Sequence, residues 1–453
     1  MQITPYSEPE FDPYGDARRT EPDPGWLAPT ASRPLQATLS VPGSKSLTNR
    51  ELVLAALADG PSVLRAPLWS RDSELMIEAL TALGVGFERL PGRGGFGDDL
   101  RVTPAEELLG STTVDCGLAG TVMRFVPPVA ALALGPTTFD GDEAARRRPM
   151  SGVIDGLKGL GVDLDDDRRG TLPFTVHGTG RIVGGALEID ASASSQFVSG
   201  LLLSAPRFEQ GLDLRHTGER LPSMPHIEMT VAALARRGVV VESPEPGRWV
   251  VAPGPIAAVD VDIEPDLSNA APFLAAALVA GGEVTITGWP GATTQVGAQL
   301  ETLLPRFGAA VERSGDRLTV RAPGAAAGGI RAVELDLGEA GELVPNLVAI
   351  AAFADGPSTF TGIGHIRHHE TDRLAALAAE LNGLGGRVTE LDDGLLVEPV
   401  PLHEGAWRAY ADHRMATSGA IVGLAVPGVV IDDIASTGKT LPQFPELWGG
   451  LLR

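Results

Sequence analysis

The stretch LTALGVGF, Leu80 to Phe87, reads as the end of an apolar helix, a glycine turn at Gly84 and the start of a strand. It recurs as LKGLGVDL around Gly161, ARRGVVV around Gly238, LPRFGAAV around Gly308 and LNGLGGRV around Gly385, so successive glycines stand 77, 77, 70 and 77 residues apart. Ahead of each lies another apolar helix, in LVLAALADGPSVL, PVAALALGPTTF, SGLLLSAP, FLAAALVAGGEVTI and LVAIAAFADGPSTF, and AIVGLAVPGVVI opens a sixth, shortened copy. The segments from Ala58 and Ala354 share ADGPS. We read six copies of a unit of about 75 residues, each with two helices and several strands. A period that long, with an apolar helix in each copy, predicts compact α/β units grouped into domains rather than an open array.

Each unit offers two helix amino ends, and the unusual polar residues gather there. Before the first helix come GSKSLTNR (Gly43–Arg50), CGLAGTVMR (Cys116–Arg124), SASSQ (Ser192–Gln196), PDLSN (Pro265–Asn269), GELVPN (Gly341–Asn346) and ADHRM (Ala411–Met415). Before the second come SRDSE (Ser70–Glu74), RRRPM (Arg146–Met150), PSMPH (Pro222–His226), GATTQ (Gly291–Gln295), HHETDR (His368–Arg373) and STGKT (Ser436–Thr440). If equivalent ends face one cleft, many positive helix termini converge on it.

VPGSKSLTNR (Val41–Arg50) shows what such an end is suited to. Pro42 and Gly43 make a turn, Ser44 or Ser46 caps the helix that follows, and its free N–H groups and positive dipole face whatever Lys45 reaches toward. Ser46 and Arg50 are four apart and share a helical face. Of 36 basic residues only Lys45, Lys158 and Lys439 are lysines, and two of them sit in the small-residue turns GSKS and TGKT. A compact, deprotonatable ammonium does there what a planar guanidinium cannot.

A net charge of −22 argues against nucleic acid or an anionic membrane surface as partner, since phosphate contacts need a basic surface. An anionic small molecule must then be met by a local concentration of cations. No apolar run reaches the length of a membrane span, the first residues carry no signal pattern, and one cysteine excludes a disulfide scaffold; the expected compartment is the cytoplasm. The proline-rich polar residues 1–33 are expected to be disordered.

Among the clusters, HHETDR offers Glu370 as a general acid/base beside an anion clamp at Arg373, although acids also favour any helix start. SASSQ supplies hydroxyls and an amide for an oxygen-rich ligand, and in RRRPM the residue expected to be held in place is Arg148. His365, His368 and His369 with Glu370 lack the further spaced ligands of a metal site, and Cys116 reads as a small buried apolar residue. TGKT and GSKS each lack the leading glycine of a nucleotide phosphate loop.

With GSKSLTNR, GLAGTVMR, RRRP, SASSQF, HETDR, DHRM and STGKT in this order, the chain resembles the 5-enolpyruvylshikimate-3-phosphate synthases from about residue 35 to its end. The resemblance implies an α/β fold of two similar domains, each of three βαβαββ units, joined by two crossovers with the active site in the cleft between them. The crossovers are expected near Gly43 and Asp262, giving an N-terminal-half domain at 43–262 and a discontinuous C-terminal-half domain of 34–42 plus 263–453. It implies transfer of the enolpyruvyl group of phosphoenolpyruvate to the 5-hydroxyl of shikimate 3-phosphate with release of phosphate, no cofactor, no metal and a monomer.

By motif, Lys45, Gly120, Arg148, Gln196, Arg373, Arg414 and Lys439 are expected around phosphoenolpyruvate. Shikimate 3-phosphate is expected at Lys45, Ser46, Arg50, Thr121, Ser194, Ser195, Gln196, Ser223, Glu342 and His369. Glu342 is expected to take the proton of the attacking hydroxyl, and Glu370, Lys439 and Lys45 to move protons to and from the methylene carbon. Leu118, Glu342, His365, His369 and His226 depart from the commonest family pattern, which has asparagine, aspartate, asparagine, lysine and tyrosine there. The nearest alternatives are the enolpyruvyl transferase acting on UDP-N-acetylglucosamine and a non-catalytic binding protein on the same fold.

Overall fold

The computed structural model describes residues 25–92 and 95–453. Its helices are α1 (Lys45–Ala56), α2 (Arg71–Ala82), α3 (Gly120–Ala131), α4 (Ser151–Gly159), α5 (Gln196–Ser204), α6 (Met224–Arg236), α7 (Leu267–Ala280), α8 (Leu300–Arg306), α9 (Val344–Ala351), α10 (Arg373–Gly383), α11 (His413–Gly423) and α12 (Phe444–Leu451). The five repeat glycines follow α2, α4, α6, α8 and α10, and all have positive φ, from 78° at Gly238 to 102° at Gly308. In each case the residue after the glycine donates its N–H back to the last turn, as Val85 does to Leu80 O and Gly386 to Leu381 O. That closure needs a left-handed residue, which glycine adopts without a Cβ clash.

The strands repeat as the helices do. In the unit beginning at Thr112–Asp115, this strand pairs in parallel with Leu134–Asp140 across α3, and the hairpin Asp163–Asp165 with Phe174–Thr179 adds antiparallel. The units beginning at Gly185–Ile189 and Glu334–Asp336 are built the same way. Two further sheets have exchanged their first strands: Leu35–Leu39 lies parallel to Gly282–Thr287, while Val261–Asp262 lies parallel to Ser62–Arg65. The two connections cross where Gly43 bridges Pro265, and a Cβ on Gly43 would collide with the Ala66 carbonyl.

The sixth unit pairs Gly405–Trp407 in parallel with Val429–Ile431 and takes its third strand from the other end of the chain, Trp26–Leu27. This corrects the expectation for residues 25–33. They are ordered, with Ala28 N–H donating to Val429 O, Ala31 N–H to Leu424 O, and the Ala28 side chain packed in the core. A two-residue strand and one buried alanine leave no period to read in a proline-rich segment. Residues 1–24, the rest of the expected disordered extension, lie outside the described residues.

Apolar side chains form two cores. One joins residues between Leu47 and Ile263, the other Ala28, Leu35 and Val41 with residues from Leu267 to Leu451. The fold is α/β with two similar halves, three units around each core. At each centre the first helices of the units pack on one another, α1 with α3 and α5, and α7 with α9 and α11. Helices buried on all sides, such as α3 and α7, must be apolar all round, so polar residues are displaced to their ends. Those ends make the site.

Candidate active site

One cavity lies between the halves and includes about 1080 Å³ of non-atom space, solvent at its mouth counted. The amino ends of α1, α3 and α5 reach it from one side with Lys45, Ser46, Thr121, Ser194, Ser195 and Gln196, joined by Arg124, Arg148, Ser223 and His226. From the other side come Asp266, Ser268, Asn269, Glu342, His365, His369, Glu370, Arg373, His413 and Arg414. Of the expected site residues, Arg50, Gly120 and Lys439 stand behind this lining.

Some of the helix ends are closed by their own caps. Ser44 accepts from Leu47 N–H at 3.4 Å, so it and not Ser46 caps α1. Asp266 caps α7 with one oxygen, from Asn269 N–H at 2.9 Å, and accepts Lys45 N–H at 3.0 Å with the other, tying α1 to α7 at the crossing. Asp372 and Asp412 cap α10 and α11. By contrast α3, α5, α6 and α9 have no side-chain cap. The first N–H of α5 is met by Ser194 Oγ at 3.2 Å and that of α6 by Glu339 Oε2 at 2.7 Å, and an N–H left unmet at such an end suits an anion. STGKT precedes α12 as expected but does not open it: Ser436–Lys439 belong to a short 3₁₀ turn, Ile434–Lys439, and three residues separate Thr440 from the helix. GATTQ likewise runs into a 3₁₀ turn, Val296–Gln299, before α8.

The first wall carries two guanidiniums without carboxylate partners. Arg124 donates to Gly120 O and Pro149 O and Arg148 to Leu118 O, both are buried, and the Nε of each has no partner. Burial and then the neighbouring Arg148 hold Arg124 well below the usual guanidinium range. Gly120 is small for a reason: a Cβ would lie 2.8 Å from Arg124 Nη1 and 3.0 Å from Arg148 Nη2, in the space an anion would take. Lys45 Nζ lies 3.5 Å from Asp72 Oδ2, a buried oxygen with no hydrogen bond. Gln196 Oε1 is also buried and unpartnered.

Arg50 faces inward. Its guanidinium donates to Thr230 Oγ1 at 2.8 Å, Ser46 O at 2.9 Å and His226 O at 2.8 Å, and stacks 5.2 Å from the Phe125 ring, so it braces Ser46 and His226 from behind. Burial pushes it down to about 9, with Glu342 opposing.

The second wall is a closed network of ion pairs. Lys439 Nζ donates to Glu370 Oε1 at 2.5 Å; Arg373 donates to Glu370 Oε2 at 3.0 Å, to both oxygens of Asp412 at 2.8 and 3.1 Å, and to His369 Nδ1 at 2.9 Å. Burial would raise Glu370, but Lys439, Arg373 and Arg148 together hold it well below the carboxylate range. Burial also lowers Lys439 below an ordinary ammonium, against the pull of Glu370 and Asp72. Glu342 accepts from Ser268 Oγ at 2.7 Å and Arg414 Nη2 at 2.9 Å, with His226 Nε2 at 3.9 Å. Burial opposes its ionisation, yet Arg414, His226 and Ser268 keep it below the ordinary value.

Five of the eight histidines, His226, His365, His368, His369 and His413, line this cavity. Burial, the largest cause in each, pushes His226 and His365 down to about 4 and His369 and His413 well below the usual imidazole range, so these four are neutral near pH 7. With Arg373 donating into Nδ1, the proton of His369 is on Nε2. Among the described residues no group of three His, Cys, Asp or Glu side chains has metal-binding geometry.

Sequence reading named most of these residues. It passed over Arg124, Asp72, Asp266, Ser268 and His413 as site residues, although all five stand in clusters it singled out at helix starts. Arg124 is four residues after Gly120, hence on one helical face with it, which is the signal that finds it.

The chain matches the family model described as EPSP synthase (3-phosphoshikimate 1-carboxyvinyltransferase) over residues 29–448. It is 55% identical over 432 residues to a 3-phosphoshikimate 1-carboxyvinyltransferase of Kocuria rhizophila, covering 94% of this chain and 96% of that protein. Among solved structures it is similar to an EPSP synthase from Acinetobacter baumannii, with a TM-score of 0.74, 21% identity and coverage of 94% of this chain and 97% of the other. The enolpyruvyl transferase NikO from Streptomyces tendae superposes with a TM-score of 0.71 at 21% identity, covering 93% and 96%. At that identity the superpositions speak for the fold, whereas the family match and the close relative speak for descent, and on these the chain belongs to the EPSP synthase (3-phosphoshikimate 1-carboxyvinyltransferase) family.

Proposed function

We propose that this chain transfers the enolpyruvyl group of phosphoenolpyruvate to the 5-hydroxyl of shikimate 3-phosphate, releasing phosphate, as a step of aromatic amino acid biosynthesis. One observation carries the reading: a single cavity between the halves sets guanidinium groups lacking carboxylate partners opposite a wired network of Glu342, Glu370 and Lys439. Both substrates bring phosphate and carboxylate, which supply the missing counter-charge.

Lys45, Gly120, Arg148, Gln196, Arg373, Arg414 and Lys439 surround phosphoenolpyruvate, with Arg124 now added beside Arg148. Ser46, Thr121, Ser194, Ser195, Gln196, Ser223 and His369 hold shikimate 3-phosphate, Arg50 bracing them. Glu342 takes the proton from the attacking oxygen as it bonds to C2 of phosphoenolpyruvate, and C3 gains a proton from the Lys439, Glu370 and Lys45 group. Loss of a proton from C3 then expels phosphate and restores the double bond. The halves 43–262 and 34–42 plus 263–453 act as domains closing over the ligands, so that water is excluded from the addition. No step draws on a metal or organic cofactor.

We place the protein in the cytoplasm as a monomer with small-molecule partners and neither nucleic acid nor membrane. Among the described residues no helix is long and apolar enough to cross a membrane. Phosphate release from phosphoenolpyruvate, measured with shikimate 3-phosphate and with UDP-N-acetylglucosamine, tests the proposal. Release with the first acceptor alone is expected; release only with the second, or with neither, overturns it.

A further inference from the structure

Helix α6 begins without a cap of its own. Ser223, the residue before it, is left-handed at φ 57° and ψ 50°, and its side chain makes no bond to the first turn. A serine in extended backbone would accept from that turn; in this conformation Ser223 makes no such bond and lines the cavity. The acceptor comes from the other half: Met224 N–H donates to Glu339 Oε2 at 2.7 Å.

A second contact runs the opposite way four residues earlier. Arg220 donates to Gly362 O at 2.8 Å and to Asp393 Oδ2 at 3.1 Å. Its guanidinium sits in a socket made for it, because a Cβ on Gly338 would collide with Nη2 and one on Gly362 would lie 2.9 Å from it. Glu339 directly follows the first of these glycines. Carboxylate and guanidinium thus exchange across the cleft, each meeting backbone of the opposite half.

We propose that Glu339 and Arg220 form a cross-cleft strap whose task is to position the amino end of α6, and through it Ser223 and His226, once the halves are together. Neither residue touches the ligand; both are positioning residues. The exposed pair of Arg220 with Asp393 contributes little by itself, but Arg220 also fills a glycine-lined socket, and Glu339, close by, caps the helix. The strap also explains why the Ser223 hydroxyl is free for a ligand: the cap it would have made is supplied from across the cleft.

The kinetic test rests on the reading under Proposed function. Glu339→Ala and Arg220→Ala are each expected to raise KM for shikimate 3-phosphate about tenfold, with kcat changed less than about threefold. Glu339→Gln, which keeps an oxygen acceptor, is expected to restore most of the loss, and the double alanine variant to be no worse than about the worse single one. A purely structural role would lower stability and active fraction and leave KM alone. A separate arm needs no substrate: exchange of the Met224 amide in the full chain is expected to accelerate about tenfold in Glu339→Ala and also in Arg220→Ala. Unmoved KM in both alanine variants, a glutamine variant as poor as alanine, or a Met224 amide indifferent to Arg220 overturns the strap. A parent chain that neither turns over nor binds shikimate 3-phosphate overturns the proposed function, and the exchange arm still decides the strap.

Discussion

The two walls of the cavity hold similar residues in opposite states. On the wall built from α1, α3 and α5, Arg124 and Arg148 find only backbone carbonyls, and each leaves a buried Nε unpartnered. On the wall built from α7, α9, α10 and α11, Arg373, Arg414 and Lys439 are each bonded to carboxylates before any ligand arrives. Buried charge is tolerated in both places for different reasons. The second wall is self-neutralised and therefore rigid, suited to holding Glu342 and Glu370 ionised at fixed positions. The first is left short of negative charge, which the substrates proposed above would supply.

This contrast can be broken by substitutions that act on one wall only. The largest effect belongs to the wired wall. Glu342→Gln is expected to slow turnover by about 10²–10⁴-fold while titration of shikimate 3-phosphate still shows binding. Lost binding with turnover intact would move the chemistry to the other wall.

Next come stabilities in urea. Asp412→Asn leaves the 2%-exposed Arg373 without its bidentate partner and is expected to cost about 3–5 kcal/mol. Arg124→Met on the open wall removes one of two repelling guanidiniums and is expected to stay within about 1 kcal/mol of the parent. Equal losses in the two variants would erase the distinction.

Gly120→Ala tests the open wall alone, since the added methyl enters the space between Arg124 and Arg148. About a tenfold rise in KM for phosphoenolpyruvate is expected, with shikimate 3-phosphate affected less. An unchanged KM would show that the anion sits elsewhere.

The smallest effect is in pH. Burial holds His226 and His365 at about 4, below the ordinary 6.5. Between these values the unfolded chain binds protons that the folded chain refuses, so stability falls as pH drops from 6.5 toward 4 and is unaffected by these groups above that window. His226→Gln is expected to flatten the dependence by about 1 kcal/mol per pH unit at most, read from urea midpoints at pH 7.5 and 5. An unaltered slope would show that His226 is not among the groups concerned.

How far the sequence could be read follows from which interactions are local. The helix–glycine–strand signature is local, because a left-handed closing residue and an apolar face are properties of a few neighbouring positions. It revealed the repeat and with it the helix starts where nearly every site residue lies. The swap of Leu35–Leu39 and Val261–Asp262 between sheets came only through family resemblance, since nothing in a five-residue strand says which sheet it joins. Trp26–Leu27 went unread for the same reason.

Within the site, residue identity was legible and partnership was not. That Arg373 and Arg148 are both arginines at helix starts is a fact of sequence; that one is held by Asp412, 39 positions on, as well as by its neighbours Glu370 and His369, while the other meets only the Leu118 carbonyl, is decided by how the chain folds. Arg50 shows it most plainly, placed by its motif among the ligand's donors and turned by Thr230 and His226 into a brace. The sequence by itself determined the sixfold unit, the helix starts and the kinds of group they carry, because those rest on short-range backbone geometry and hydrophobic period. The tertiary structure alone decided which charges are already paired, because pairing at about 3 Å is a matter of where distant segments meet.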